Sequence, residues 1–278
     1  MNDLTGCMYE QGSCLPTWFG DFELSCEFQP IVSPTHRRTV GFEALARARR
    51  CNDPVSPAVL FSEAESEGDE PCLDIVLWQQ ALRTYAETRP NAWLFLNLSA
   101  ASVVDSRTAP DILAQLVHQS GLSCDRIVLE IVEDAVSDQE ALARFVAGCR
   151  NHGFRIAIDD FGAGDAHFER IWRIRPDIVK MDRTMVVHAA ENARASRLFL
   201  SLIRMIRENG SLVLVEGLET RQQAALAWES EADFYQGFWY SHPRAALKTA
   251  SAEAEPRLLL AQQHFTALNE QQESEQIQ

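Results

Sequence analysis

Eight short β-rich runs, most of them separated by helical patterns, constrain the fold of this chain more than any other feature. They lie at 23–32 (ELSCEFQPIV), 40–46, 93–99 (WLFLNLS), 126–132 (RIVLEIV), 154–159, 178–182 (IVKMD), 211–216 (SLVLVE) and 234–240 (FYQGFWY). Ser56-Pro57 reads as a helix cap with an N1 proline, and Ser137 with Glu140 as a capping box. Gly153 and Gly210 stand where helices should stop. Only SPTHRRT separates the first two runs, which fits a hairpin and not a helical crossover. The other runs alternate with helices, which implies parallel strands. The expected fold is therefore α/β, a (β/α)8 TIM-like barrel with an antiparallel first strand. A chain of 278 residues suits one such barrel, and a 46% hydrophobic content can fill it. No repeat or linker divides the sequence. The expected organisation is a leader over 1–21, the barrel over 22–245, and a C-terminal helix with a polar tail, NEQQESEQIQ, over 246–278.

Charge narrows the function. A net charge of −15 argues against a general nucleic-acid or membrane-surface binder, so neither a DNA or RNA duplex nor a membrane is an expected partner. No apolar run approaches the roughly 18 residues of a membrane span. The N-terminal MNDLTGCMYEQGSC lacks a basic segment followed by an apolar one, so no signal peptide is expected. Seven cysteines without a CxxC pair read as reduced thiols of a cytoplasmic protein, and Cys7 and Cys14 in the leader carry only a weak redox or metal signal that leaves their role open. Of the cluster Arg37, Arg38, Arg47, Arg49 and Arg50, only Arg47 is expected to face a phosphate, and the rest to be solvated.

The polar residues at the strand ends carry the chemistry. In IAIDDFGAG (156–164) an apolar strand ends in two adjacent like charges, Asp159 and Asp160. Glu43, Asn97, Glu130, Lys180 and Glu216 also fall within or at the C-terminal end of a run, and in a barrel those ends converge on one face. Carboxylates crowded there push each other's pKa upward unless cations neutralise them. An oxygen-rich set of this kind suits Mg²⁺ or Mn²⁺, and two adjacent aspartates can serve two ions. Gly162 and Gly164 let the backbone turn beside them. Two ions with a lysine point to phosphoester hydrolysis. Metal-assisted proton abstraction next to a carboxylate uses similar residues, and composition and spacing do not separate the two.

A longer pattern does. FQPIV at 28–32, VGFEALAR at 40–47, PAVLFSEAESEG at 57–68, NLS at 97–99, LEIVE at 129–133, DDFGAG at 159–164, VKMD at 179–182, EGLET at 216–220 and QGFWYSHP at 236–243 follow one another in order. Together they resemble the EAL-domain family, phosphodiesterases of the bacterial second messenger cyclic di-GMP, over roughly residues 22–245. The resemblance implies that Glu43, Asn97, Glu130 and Asp159 hold one ion. Asp159 would bridge to a second beside Asp160, with Glu216 close to the metal-bound water and Lys180 touching that nucleophile. It implies substrate contacts from Gln29, Leu45, Arg47, Asp182, Glu219, Gln236 and Pro243, and a loop anchor at Glu133. The implied reaction opens cyclic di-GMP to linear pGpG, with Mg²⁺ or Mn²⁺ active and Ca²⁺ inhibitory. The family pattern further implies a homodimer. No GGDEF, sensory or receiver domain accompanies the barrel, so the chain reads as a stand-alone member regulated by a protein partner, by expression or by its leader.

The sequence also departs from the family. Where active members carry a loop like T-G-Y-S-S-L, this chain has Ala163-Gly164-Asp165-Ala166-His167-Phe168, without the serine pair. Ala48 follows the arginine where a tryptophan is common, and Val132 replaces a common threonine. Three readings stand at this point. An active phosphodiesterase accounts for the retention of every ligand position and the lysine. A non-catalytic cyclic di-GMP receptor or protein-interaction module could use the same barrel. An enolase-like enzyme would leave FQPIV and QGFWYSHP unexplained.

Overall fold

A hairpin followed by βα units leaves one strand antiparallel to its neighbours, and the computed structural model closes its sheet in that way. It describes residues 17–88, 90–132, 136, 138–163 and 168–276. The first strands are β1 (Thr17–Phe19), β2 (Phe22–Ser33), β3 (Arg38–Arg50), β4 (Asp53–Val55) and β5 (Trp93–Leu98). They are followed by β6 (Ile127–Val132), β7 (Arg155–Phe161), β8 (Ile178–Met181), β9 (Leu212–Val215) and β10 (Phe234–Tyr235). The sheet order is β1-β2-β10-β9-β8-β7-β6-β5-β3-β4, and pairing of β2 with β3 closes eight strands into a barrel. β2 runs antiparallel to β3 and β10. The remaining barrel neighbours pair in parallel.

The eight expected runs are the eight barrel strands. The last is shorter than expected, because the backbone beyond Tyr235 is used in a turn, with Tyr240 and Ser241 N–H both donating to Gly237 O. Thr17–Phe19, inside the expected leader, pairs with β2.

The helices are α1 (Pro57–Glu67), α2 (Glu70–Thr88), α3 (Ala100–Val104), α4 (Pro110–Gln119) and α5 (Gln139–Asn151). After them come α6 (Phe168–Ile174), α7 (Arg183–Glu191), α8 (Ala193–Glu208), α9 (Arg221–Glu229) and α10 (Leu247–Gln276). Pro57 opens α1 as expected, although the Ser56 side chain makes no capping bond. Asp138 caps α5, accepting from Glu140 and Ala141 N–H, and Ser137 lies outside the described residues. A capping box does form at Thr220 and Gln223 of α9. α10 continues through most of the expected polar tail. Its Leu247, Ala250, Ala254 and Leu258 are buried, and Thr39 N–H donates to Glu255 Oε1 at 3.1 Å, which ties the helix to β3. Among the described residues no helix is long and apolar enough to cross a membrane. Cys26, Cys51, Cys72, Cys124 and Cys149 are free thiols; Cys7 and Cys14 lie outside the described residues.

The period of two along each strand sorts the barrel interior. Ile31, Val40, Phe95, Val128, Ala157, Ile178, Leu214 and Phe234, one from every barrel strand, form a buried apolar cluster. Gly41 makes room for it, because a Cβ there would lie 2.6 Å from the Phe95 ring. Two residues further toward the C-terminal rim stand Glu43 (counted from Gly41), Asn97, Glu130, Asp159, Lys180, Glu216 and Gln236. On antiparallel β2 the equivalent is Gln29, two residues before Ile31. Every barrel strand except β3, where Gly41 holds the inward place, thus sets an apolar inward residue below a polar one. Residues of the opposite parity, such as Leu94, Leu96, Leu129 and Ile131, belong to the larger core beneath the helices.

Candidate functional site

Lys180 stands at the centre of the polar layer. Its Nζ lies 2.6 Å from Glu130 Oε1, 2.8 Å from Glu216 Oε1, 3.0 Å from Asp159 Oδ1 and 3.8 Å from Glu43 Oε1. The lysine is 1% exposed, and Glu130 is equally enclosed. Burial alone would lower the Lys180 pKa, but the surrounding carboxylates, led by Asp159, outweigh it and hold the ammonium well above its usual value. Burial raises Glu130 and Glu216 well above the carboxylate range, against the opposing pull of Lys180.

One ammonium does not neutralise this set. Glu43, Glu130 and Glu216 bring carboxylate oxygens within 4.8 Å of one another, and so do Asp159, Asp160 and Glu216. Glu130 Oε2 is buried and accepts no hydrogen bond. Five carboxylates around one lysine, with a buried acceptor unsatisfied and only oxygen donors, fit a pair of hard divalent cations. The residue common to both groups is Glu216, where the family resemblance gave the bridging role to Asp159.

A bulge explains the doubled aspartate. The β7–β8 register shifts between Ile158 and Phe161, so β7 carries one extra residue there. Strict alternation would send Asp160 to the opposite face from Asp159. The bulge, with Asp160 at φ 55°, instead brings both carboxylates to the rim. Asp160 N–H donates to Asp159 Oδ1 at 2.8 Å. Desolvation, then the adjoining Asp159 charge, raises the Asp160 pKa. Gly162 follows at φ 91°, where a side chain is strained, and a Cβ there would lie 2.1 Å from Met185 Sδ and push that side chain aside.

The other expected residues surround this centre. Asn97 Nδ2 donates to Glu43 Oε1 at 3.3 Å. Gln236 Nε2 donates to Glu43 Oε2 at 2.6 Å and to Gln29 Oε1 at 3.1 Å, while Gln29 Nε2 donates to Ser241 O at 3.2 Å. The two glutamines therefore aim Glu43. Leu45 and Arg47 line a mostly apolar cavity of about 360 Å³ that reaches Glu43 and Asn97 and includes Phe61 and Trp78. The Arg47 guanidinium is half-exposed and paired with Glu27 at 2.7 Å. Asp182 caps α7 by accepting from Thr184 N–H, and Glu219 pairs with Arg183 at 2.8 Å. Pro243 is half-buried just beyond Ser241. Glu133 and the loop 164–167, with Ala166 and His167, lie outside the described residues.

Sequence reasoning missed three supports. Trp78 Nε1 donates to Asn97 O at 2.8 Å, and Asp74 Oδ2 accepts from Ser99 N–H at 2.8 Å, so α2 fixes the end of β5. Glu27 is the third. Its place opposite Leu45 in the β2–β3 register was the available signal.

The comparisons with known proteins agree with this geometry. The EAL domain profile matches residues 19–243. An uncharacterized protein of Azorhizobium caulinodans is 32% identical over 230 residues, 78% of this chain and 31% of that protein. A probable cyclic di-GMP phosphodiesterase of Escherichia coli, PdeA, is 31% identical over 150 residues, 54% of this chain and 20% of its own length. The chain thus spans a third or less of these two relatives. The Klebsiella pneumoniae BlrP1 calcium/cy-diGMP complex has a TM-score of 0.73 at 26% identity, covering 80% of this chain and 56% of that one. A manganese/cy-diGMP complex of the same protein has a TM-score of 0.74 at 25% identity, covering 84% and 59%. With its rim, its barrel and the profile match over most of its length, the chain belongs to the EAL-domain family.

Proposed function

We propose that this chain is a divalent-metal-dependent phosphodiesterase that opens cyclic di-GMP to linear pGpG. The observation that carries the reading is the pair of overlapping carboxylate groups around a fully buried lysine. Glu43, Glu130 and Glu216 would hold one Mg²⁺ or Mn²⁺, with Asn97 alongside, and Asp159, Asp160 and Glu216 the other. When bound, such ions neutralise phosphoryl oxygens and generate a nucleophile at neutral pH. Lys180, already in reach of three carboxylates, is placed to donate to the attacking oxygen and orient it. Gln29 and Gln236 keep Glu43 in position from behind. The cavity beside Glu43 offers Leu45, Phe61 and Trp78 to a planar base, and Arg47 can exchange Glu27 for a phosphate oxygen. Similarity to the probable cyclic di-GMP phosphodiesterase of E. coli and to the K. pneumoniae protein in complex with cy-diGMP supports the choice of substrate. The same reading includes a homodimer through α6, whose Trp172 is 65% exposed.

The test is incubation of the purified protein with cyclic di-GMP and Mg²⁺ or Mn²⁺, with and without chelator. Linear product should form only with metal, and Ca²⁺ should support binding without turnover. Lys180→Ala should lower turnover far more than affinity measured in Ca²⁺. Tight binding with no product in either active metal would overturn the proposal in favour of a receptor.

A further inference from the structure

The opposite end of the barrel carries a second cavity, of about 390 Å³, with the reverse charge. Its lining comes from N-terminal strand ends and from the β2–β3 turn, and includes His36, Arg38, Trp93, Arg126 and Phe234. Catalytic chemistry in this architecture sits at the other rim, so nothing in the proposed reaction uses these residues.

Asn91 draws two guanidinia together here. Arg38 Nη1 donates to its backbone O at 3.0 Å, and Arg126 Nη2 donates to its side-chain Oδ1 at 3.1 Å. Neither arginine makes an ion pair among the described residues. Asp233 is the one carboxylate in the described lining. It is already engaged, by Arg207 at 3.3 Å and by Val213 N–H at 2.9 Å. A third guanidinium, Arg155, lies 4.9 Å above the Trp93 ring. Two guanidinia that share Asn91 as acceptor, with the lining's one described carboxylate engaged elsewhere, leave a cationic pocket on a chain of net charge −15. Paired guanidinia match the fork geometry of a phosphate. The Trp93 ring, set edge-on to Phe234 at 5.8 Å, gives the same cavity an aromatic wall.

We propose that this cavity binds a phosphate monoester carrying a flat ring, a nucleoside monophosphate, with the phosphate between Arg38 and Arg126 and the base against Trp93. The ligand chemistry follows from the pairing of an anion clamp with an aromatic wall in a volume typical of small-molecule sites.

Calorimetry of the full chain in chelator tests this, because without metal the carboxylate rim repels anions. Guanosine monophosphate, inorganic phosphate and guanosine serve as probes. The monophosphate should bind, phosphate should bind more weakly, and guanosine should not bind measurably. Arg38→Ala and Arg126→Ala should each weaken the monophosphate at least about tenfold, and Glu130→Gln should leave its affinity unchanged. Both arginine variants should keep wild-type melting and cyclic di-GMP turnover. If either fails to fold, Arg38→Lys and Arg126→Lys keep the charge, lose the fork and should show the same weakening. Absence of monophosphate binding, affinity indifferent to both arginines, or loss of binding in Glu130→Gln would each overturn the proposal. Guanosine binding as tightly as the monophosphate would remove the clamp from it, and phosphate binding as tightly would remove the aromatic wall; either result overturns it as stated.

Discussion

The two layers inside the barrel come from the same eight strands on the same period of two, yet their chemistry is opposite. The lower layer, with Phe95, Val128, Ile178 and Leu214, is apolar and closed. The upper layer gathers five carboxylates around Lys180 and leaves Glu130 Oε2 without a partner. Burial of apolar surface makes the first favourable to folding, whereas an unsatisfied buried carboxylate is unfavourable. Height along a strand, and not the strand's identity, therefore decides whether an inward residue packs the barrel or joins the charged rim. The stability of the lower layer offsets the strain in charge of the upper one, which in turn can reserve its oxygens for cations.

Substitutions in the two layers should then fail in different ways. Glu130→Gln keeps the shape of the side chain and removes the charge of one proposed metal ligand. Turnover of cyclic di-GMP should fall by on the order of a thousandfold or more. In chelator its melting temperature should equal or exceed that of the wild type, because the change relieves like-charge crowding around a carboxyl already pushed upward by burial. Calorimetric or fluorescence melts beside product assays would check both parts. A variant that lost activity by unfolding would erase the distinction between the layers.

Phe95→Ala should show the reverse. The ring is fully buried and packs over the space left by Gly41. Its removal should cost about 3–5 kcal/mol of stability, read from urea titration in chelator. Activity per folded molecule should fall far less than in Glu130→Gln. A loss of turnover as large as that of the carboxylate variant, in protein shown to be folded, would mean that the lower layer takes part in the chemistry.

Much of this division was legible in the sequence, for physical reasons that particular residues show. Alternation is local, so WLFLNLS and RIVLEIV announced both their strands and the inward positions of Asn97 and Glu130. The antiparallel β2 followed from the shortness of SPTHRRT. The bulge at Asp160 was not readable, because alternation alone places adjacent residues on opposite faces. Nor was the central place of Lys180 among four carboxylates, since that depends on strands brought together by closure. The cap at Asp138 was not singled out, as two adjacent residues can each accept from the first turn of α5. The Trp78 and Asp74 supports come from α2, whose helical pattern says which face is buried but not which strand end it meets.

Asp74 sharpens the comparison further, because it is a buried carboxylate that the protein does satisfy. It is 4% exposed, and its Oδ2 accepts from Ser99 N–H at 2.8 Å and from Ser102 Oγ at 2.7 Å. Burial pushes its pKa up to about 6, with the serine bonds pulling the other way. The folded protein therefore retains a proton on Asp74 that the unfolded chain releases near pH 4. Its contribution to stability is complete below the unfolded value and is lost as the pH rises through about 6. Asp74→Asn keeps an oxygen acceptor for both donors and cannot titrate. Relative to that variant, the wild type should lose at most about 3 kcal/mol between pH 4 and pH 7. Urea titrations of both proteins in chelator across that range measure the difference, and the rim carboxylates, common to both, cancel. Parallel stability curves would show that Asp74 is ionised throughout, its two donors alone sufficing to hold a charge that the rim around Glu130 cannot.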